Sequence, residues 1–119
     1  MTTTSHTEFD GVQFALDVLE WLEGRDEPAA SVDETFALLS STRRRLCVQV
    51  MRTFDEQVTL PDVAEAVAER EAGESVTELS AERVAEVYLS LYHDHLPRLV
   101  DAGLLEYDQE RDLVSPQAI

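Results

Sequence analysis

The sequence predicts a mainly helical domain closed by a small β-hairpin, with an extra helix at its N-terminus. Three observations predict it. Apolar residues recur at helical spacing through Val84, Val87, Tyr88, Leu91, Leu99 and Ala102. Gly103 follows, where a helix end takes a residue that tolerates positive φ. Two short apolar runs, Leu104–Tyr107 and Leu113–Val114, then flank the polar Asp108–Asp112, which is a hairpin pattern.

The elements before that stretch follow from the same kinds of signal. Met1–Glu8 is a polar tail. Phe9–Glu23 has a helical period: Val12, Ala15, Leu16, Leu19 and Leu22 line one face, and Phe14, Val18 and Trp21 widen it. So wide a face on a short helix needs two partners or one large one. It either docks on its own domain or builds a dimer, the dimerisation residues then being Phe9, Val12, Leu16, Leu19 and Leu22. Gly24–Ser31, with Pro28, is a linker. Residues 1–31 therefore form a tail, helix and linker, and residues 32–119 the main domain.

Asp33–Leu39 is a short helix with Phe36 and Leu39 facing inward. Ser41 or Thr42 caps the next helix, Arg43–Phe54, whose buried stripe is Leu46, Cys47, Val50 and Phe54. Glu56–Thr59 forms a small first strand. Thr59 caps a helix with Pro61 in its first turn, where the missing N–H costs little. Val63, Ala64, Val67 and Ala68 face inward, and the helix ends near Ala72–Gly73. Glu74–Leu79 is a polar loop, and Ser80 caps the long helix with Glu82 in its first turn. Pro97 sits inside that helix and is expected to kink or split it.

Composition bounds the function. At 119 residues and 44% apolar, the chain is one domain with a real core. It has no long apolar run, and MTTTSHTEFDG lacks the basic and apolar regions of a signal peptide. Cys47 is the single cysteine, so no internal disulfide forms. A cytoplasmic protein is expected.

Charge is the strongest compositional fact. The formal net charge is −16, the isoelectric point is about 4.3, and all nine basic residues are Arg. That combination resembles proteins of salt-in haloarchaea, whose hydrated carboxylates keep them soluble in molar salt. In dilute buffer such a surface repels itself. Acidity ordinarily argues against nucleic-acid binding, but as a solvent adaptation it loses that force. Residues 1–32 carry −6, residues 33–54 carry +2 and residues 55–119 carry −12. The basic patch is Arg43, Arg44, Arg45 and Arg52. Three cations in a first helical turn oppose the helix dipole, so they pair with acids of this chain or with phosphates.

The phrase LLSSTRRRLCVQVM resembles the first helix of many prokaryotic winged-helix regulators, and HLPRLVDAGLLEYD resembles their recognition-helix end running into the wing. With TLPDVAEAVAE as the second helix, the resemblance covers about residues 33–115. It is to a haloarchaeal family of small winged helix-turn-helix domains, mostly of unknown function and regarded as transcriptional regulators. The resemblance implies a DNA-binding regulator, expected here as a homodimer on double-stranded DNA. There are departures. About seven residues, Gly73–Leu79, replace a turn of roughly 3–4, and the wing tip is mostly acidic.

Winding the long helix at about 100° per residue places Arg83, Glu86, Ser90, His93, Asp94, Pro97, Arg98 and Asp101 on its polar side. Arg83, Ser90, His93 and Arg98 are the candidate base readers, set among three carboxylates. Arg43, Arg44 and Arg45 are the candidate phosphate contacts. Counterion release nearly vanishes at molar salt, so direct hydrogen bonds and shape must carry such binding. The rival expectation, from the acidic wing and helix face, is an interaction module for a protein partner. No enzyme is expected: no Gly-rich phosphate loop or catalytic spacing stands out. His93 and His95 point about 200° apart on a helix and cannot share a metal. His95 is expected as a hydrogen-bonded core histidine, and Tyr88 and Tyr92 as core or interface. No metal, cofactor or membrane partner is expected.

Overall fold

The computed structural model describes residues 11–23 and 30–116, and of residues 21–23 and 30–32 the backbone only. The roles expected of Phe9 and Leu22 fall outside the described side chains. The chain is mainly helical with one small antiparallel sheet. In order it runs α1 (Gly11–Glu23), α2 (Ala30–Leu38), α3 (Thr42–Phe54), β1 (Val58–Thr59), α4 (Leu60–Ala72), a 3₁₀ turn (Val76–Glu78), α5 (Ala81–Ser90), a π turn (Leu91–His95), α6 (Leu96–Asp101), β2 (Leu105–Asp108) and β3 (Leu113–Pro116). No helix among the described residues is long and apolar enough to cross a membrane.

The helix boundaries are set by local chemistry. Ser41, Thr59 and Ser80 cap α3, α4 and α5, each hydroxyl accepting the N–H three residues on. Asp55 and Gly73 end α3 and α4 in left-handed conformation, at φ 54 and 70°. The polar loop expected before Ser80 contains the 3₁₀ turn, and Glu69 Oε2 accepts from Val76 N–H at 2.7 Å.

Pro97 neither breaks nor splits the long helix. Its ring nitrogen cannot donate to the His93 carbonyl and its ring crowds that carbonyl. The helix widens by one residue just upstream, with Leu96 N–H donating to Leu91 O. α5, the π turn and α6 thus continue one into the next from Ala81 to Asp101. The end is a Schellman closure: Leu104 N–H bonds Leu99 O and Gly103 N–H bonds Val100 O, both at 3.0 Å, with Gly103 at φ 82°.

The sheet order is β1-β3-β2. Val114 sits opposite both Val58 and Tyr107, so the central strand joins the short β1 to the hairpin. Leu60 N–H donates to Asp112 O at 2.9 Å and carries the pairing into the start of α4.

One core holds the described elements together. Cys47, Val50 and Met51 of α3, Val63, Ala64 and Val67 of α4, and Val87, Leu91 and Leu99 of the long helix are at most 1% exposed. Leu104, Leu105 and Val114 close it from the sheet side. Two sequence expectations are corrected. Phe36 and Phe54 are exposed, and Thr35 of α2 and Val48 of α3 are buried instead, because the elements they meet lie on the other side of each helix. On α1, Phe14 and Val18 face the core at 5% and 1% exposure, while Val12, Leu16 and Leu19 face outward at 73%, 53% and 41%. Asp17 pairs with Arg52 of α3 and holds α1 in that orientation.

Candidate nucleic-acid interface

The arginine run at the start of α3 divides by function. Arg43 turns to Glu71 near the end of α4, its Nε 2.5 Å from Oε2 and Nη2 2.8 Å from Oε1. Arg83 at the start of α5 reaches the same carboxylate at 3.2 Å. The Glu71 side chain is only 14% exposed. One carboxylate therefore ties together the starts of two helices and the end of a third. It also answers the dipole conflict of Arg43. Burial raises the Glu71 pKa, but the hydrogen bonds from Arg43 and Arg83 outweigh it and hold the carboxyl below its ordinary range.

Arg45 donates to Leu39 O at 2.7 Å and to Thr42 Oγ1 at 3.3 Å, bracing the turn between α2 and α3. Arg44 has a buried Nε–H with no hydrogen-bond partner. Its charge acts on both Asp94 and His95 of the π turn, so α3 and the long helix bring Arg44 and Arg98 into one neighbourhood. Arg98 donates to Asp94 at 2.9 Å, both side chains being more than half exposed. That contact is the main cause of the lowered Asp94 pKa.

His95 is not the hydrogen-bonded core histidine expected. Its side chain is 12% exposed, its Nδ1 lacks a hydrogen-bond partner, and Asp94 Oδ2 lies 3.7 Å away. Desolvation lowers its pKa, opposed by Asp94 and reinforced by Arg44, Arg43 and Arg98. A depressed histidine favours its neutral form in the folded state. Stability from this group is present above the ordinary value near 6.5 and is lost as pH falls through the folded value. Thermal melts from pH 7.5 to pH 5 are expected to show falling stability, and His95→Gln is expected to flatten that part of the slope. An identical slope in the variant would assign the loss to other groups.

The two halves of the long helix differ. Ala81, Glu82, Ala85, Glu86 and Leu89 of α5 are exposed, giving an acidic and apolar outer face. The C-terminal half exposes His93, whose ring meets Tyr92 edge-on at 4.9 Å, and Arg98, together with Asp94, Pro97 and Asp101. Ser90 is half-buried. The expected reading face thus has no free run of donors: Arg83 is committed to Glu71, Arg98 to Asp94, and His93 stands beside that exposed carboxylate.

The hairpin is fastened to this helix by a network that the sequence did not reveal. Asp112, left-handed at φ 57°, accepts from Tyr88 at 3.2 Å and from Tyr107. Gln109 Nε2 donates to the Tyr92 hydroxyl at 3.0 Å. Desolvation, with Asp112 close by, pushes the Tyr107 hydroxyl pKa well above its ordinary value. Asp108 accepts from the N–H groups of Glu110 and Arg111, shaping the tip. Tyrosines four apart on a helix gave a signal for this cluster, but the acceptor of Tyr88 lies 24 residues away in the chain and the donor to Tyr92 lies 17 away.

No group of three or more potential metal ligands occurs among the described residues. Cys47 is fully buried, and desolvation pushes its thiol up to about 12, so it offers no thiolate.

The elements from α3 to β2 and the contacts among them fall within one matched region. A family model described as Domain of unknown function (DUF7344) covers residues 36–115. The chain belongs to this family. The DUF7344 region starts within α2 and ends within β3, so it includes Glu71, Asp112 and the Arg44–Arg98 neighbourhood and leaves out α1. No curated protein and no solved structure matches the chain.

Proposed function

We propose that this chain is a winged-helix protein that binds double-stranded DNA as a homodimer and regulates transcription in a halophilic archaeon. The observation carrying this reading is the long helix that feeds directly into a hairpin fastened to it by Asp112, with β1 pairing on the hairpin's second strand. That is the connectivity expected of a winged helix: helix, short strand, two helices, hairpin. Arg44 and Arg98 supply the phosphate contacts, Arg45 holds the α2–α3 turn through Leu39 and Thr42, and His93 with Ser90 faces base edges. Arg43 and Arg83 act through Glu71, setting the angle between α3 and α5. The dimer forms through the outward stripe of α1, where Val12, Leu16 and Leu19 repeat at helical spacing.

Fluorescence anisotropy at about 2 M KCl, where the Debye length is ~2 Å, tests the reading with genomic fragments against random sequence. Selective retention of genomic fragments is expected, and Arg44→Ala with Arg98→Ala is expected to weaken it about tenfold, at about 1.4 kcal/mol. Failure of both pools to bind the folded protein would overturn it. Leu16→Glu is expected to halve the mass seen by light scattering, and an unchanged dimer mass would remove α1 from the interface.

A second reading, a winged-helix module for a protein partner, is favoured by one observation: the outer face of α5 presents Glu82 and Glu86 beside Ala85 and Leu89.

A further inference from the structure

Two buried polar atoms come together without a protein partner. One is the Nε–H of Arg44 in α3, the other is Nδ1 of His95 in the π turn. They are the two such atoms found among the described residues. The charge of Arg44 acts on His95, so the two share one neighbourhood between α3 and the long helix. A buried guanidinium N–H without an acceptor is costlier than a neutral one, because charge is desolvated with it. The group that meets this N–H is therefore an acceptor, and one that carries negative charge gains most.

No carboxylate of the described residues supplies it. Asp94 gives Oδ1 to Arg98 at 2.9 Å, and its Oδ2 lies 3.7 Å from His95 Nδ1. Arg98 acts on Asp94 more than Arg44 does. Glu71 is shared by Arg43 and Arg83, and Glu86 acts on Arg43. Arg44, Arg43 and Arg98 all favour the neutral form of His95, against Asp94 alone. This corner is short of negative charge in a chain whose net charge is −16. The surroundings also select the anion. Both nitrogens are buried, Arg43 and Arg98 are already paired, and Asp94 stands close enough to repel a dianion. Two donors in a buried setting suit a compact monovalent ion, not a phosphate group with its several acceptor oxygens.

We propose that Arg44 Nε–H and His95 Nδ1–H hold a chloride ion between α3 and the π turn. The ion answers the Arg44 charge and ties the first turn of α3 to the long helix. The ring proton sits on Nδ1 when the ion is held. The inference concerns the buried edge of Arg44 and does not rest on the DNA-binding reading.

The full chain tests it in potassium chloride against potassium gluconate at the same concentration, about 2 M, where screening is equal. Chloride titrated into gluconate is expected to shift the His95 ring signals in proton NMR along a saturating curve. It is also expected to raise the pH at which the ring titrates, since a bound anion favours the protonated form. Tm is expected to be about 5 °C higher in chloride, because the ion binds the folded state alone. Arg44→Gln and His95→Phe are expected to abolish that difference, whereas a general salt effect would persist in both. In crystals soaked in bromide, an anomalous peak is expected beside both nitrogens. The proposal falls if the His95 shift grows linearly without saturating, or if the Tm difference survives in the folded variants. It also falls if no halide peak lies beside both nitrogens. Saturation by inorganic phosphate with no response to chloride would overturn the choice of ion. The NMR and bromide measurements use the parent chain, so they decide the matter even if a variant does not fold. DNA retention is read separately: the chloride site can stand where no DNA binds, and can fail where DNA does.

Discussion

Dilution of KCl from about 2 M to about 0.1 M is expected to loosen or unfold this protein. The Debye length grows over that range from ~2 Å to ~10 Å, so neighbouring surface carboxylates begin to act on one another. With a net charge of −16 on 119 residues, the repulsion is large for the size of the domain. The acids stand on the surface: Asp55, Glu56, Asp62, Glu74, Glu82, Glu86, Asp101, Glu106 and Glu110 are all exposed. Few have a cation to answer them, since Arg43 and Arg83 share Glu71, and Arg52 is taken by Asp17. A destabilisation on the order of 3 kcal/mol, or a fall in Tm of about 15 °C, is a fair expectation for a domain of this length. Circular dichroism melts across a KCl series measure it. An unaltered spectrum and Tm from 2 M to 0.1 M would refute the halophilic reading.

Glu71→Ala is expected to cost about 2–3 kcal/mol at neutral pH and high salt. Removing one partner of a largely buried ion pair leaves the others uncompensated. Two cations are left here: Arg43, with a side chain 21% exposed, and Arg83 at 37%. The figure is below the usual range for buried pairs because water reaches Arg83 and screens it. Glu71→Gln should recover part of the loss, since the amide oxygen can still accept one bond. The pH dependence follows from sign. A carboxyl held below its ordinary value near 4.5 contributes stability above that value and loses it as pH falls through the folded one. Acid titration of Glu71→Gln should therefore lack that component. A variant as stable as the parent in chemical denaturation would show that the three helix ends are held by core packing alone. If DNA binding weakens in Glu71→Ala while Arg44 and Arg98 are intact, the positioning role of the network is supported.

Much of the fold was legible in the sequence because its signals are local. Ser41, Thr59 and Ser80 cap helices by bonds three residues away, and Gly73 and Gly103 end them through their own φ. The apolar period of α4 assigned Val63, Ala64, Val67 and Ala68 inward without reference to anything else, and all four are buried. The misplacements are of another kind. Phe36 and Phe54 are apolar and helical, yet what they face depends on where α2 and α3 lie among their neighbours. Pro97 was visible as a perturbation, but not that a π turn just upstream would accommodate it while Leu91 and Leu96 both stay in the core.

For the candidate site the same boundary holds. The sequence by itself determined the acidic, Lys-free surface, the arginine run at the start of α3 and the order of helices and hairpin, because composition and short-range periodicity carry these. Only the tertiary structure decided which arginine does what. Arg43 and Arg83 look as available in sequence as Arg44 and Arg98, but Glu71 lies 28 residues from the first and 12 from the second. Asp112 captures Tyr88 across 24 residues. Pairings between charges and polar groups have no sequence period: a carboxylate binds whichever donor the packed helices bring within about 3 Å. The roles of these charges are therefore consequences of packing.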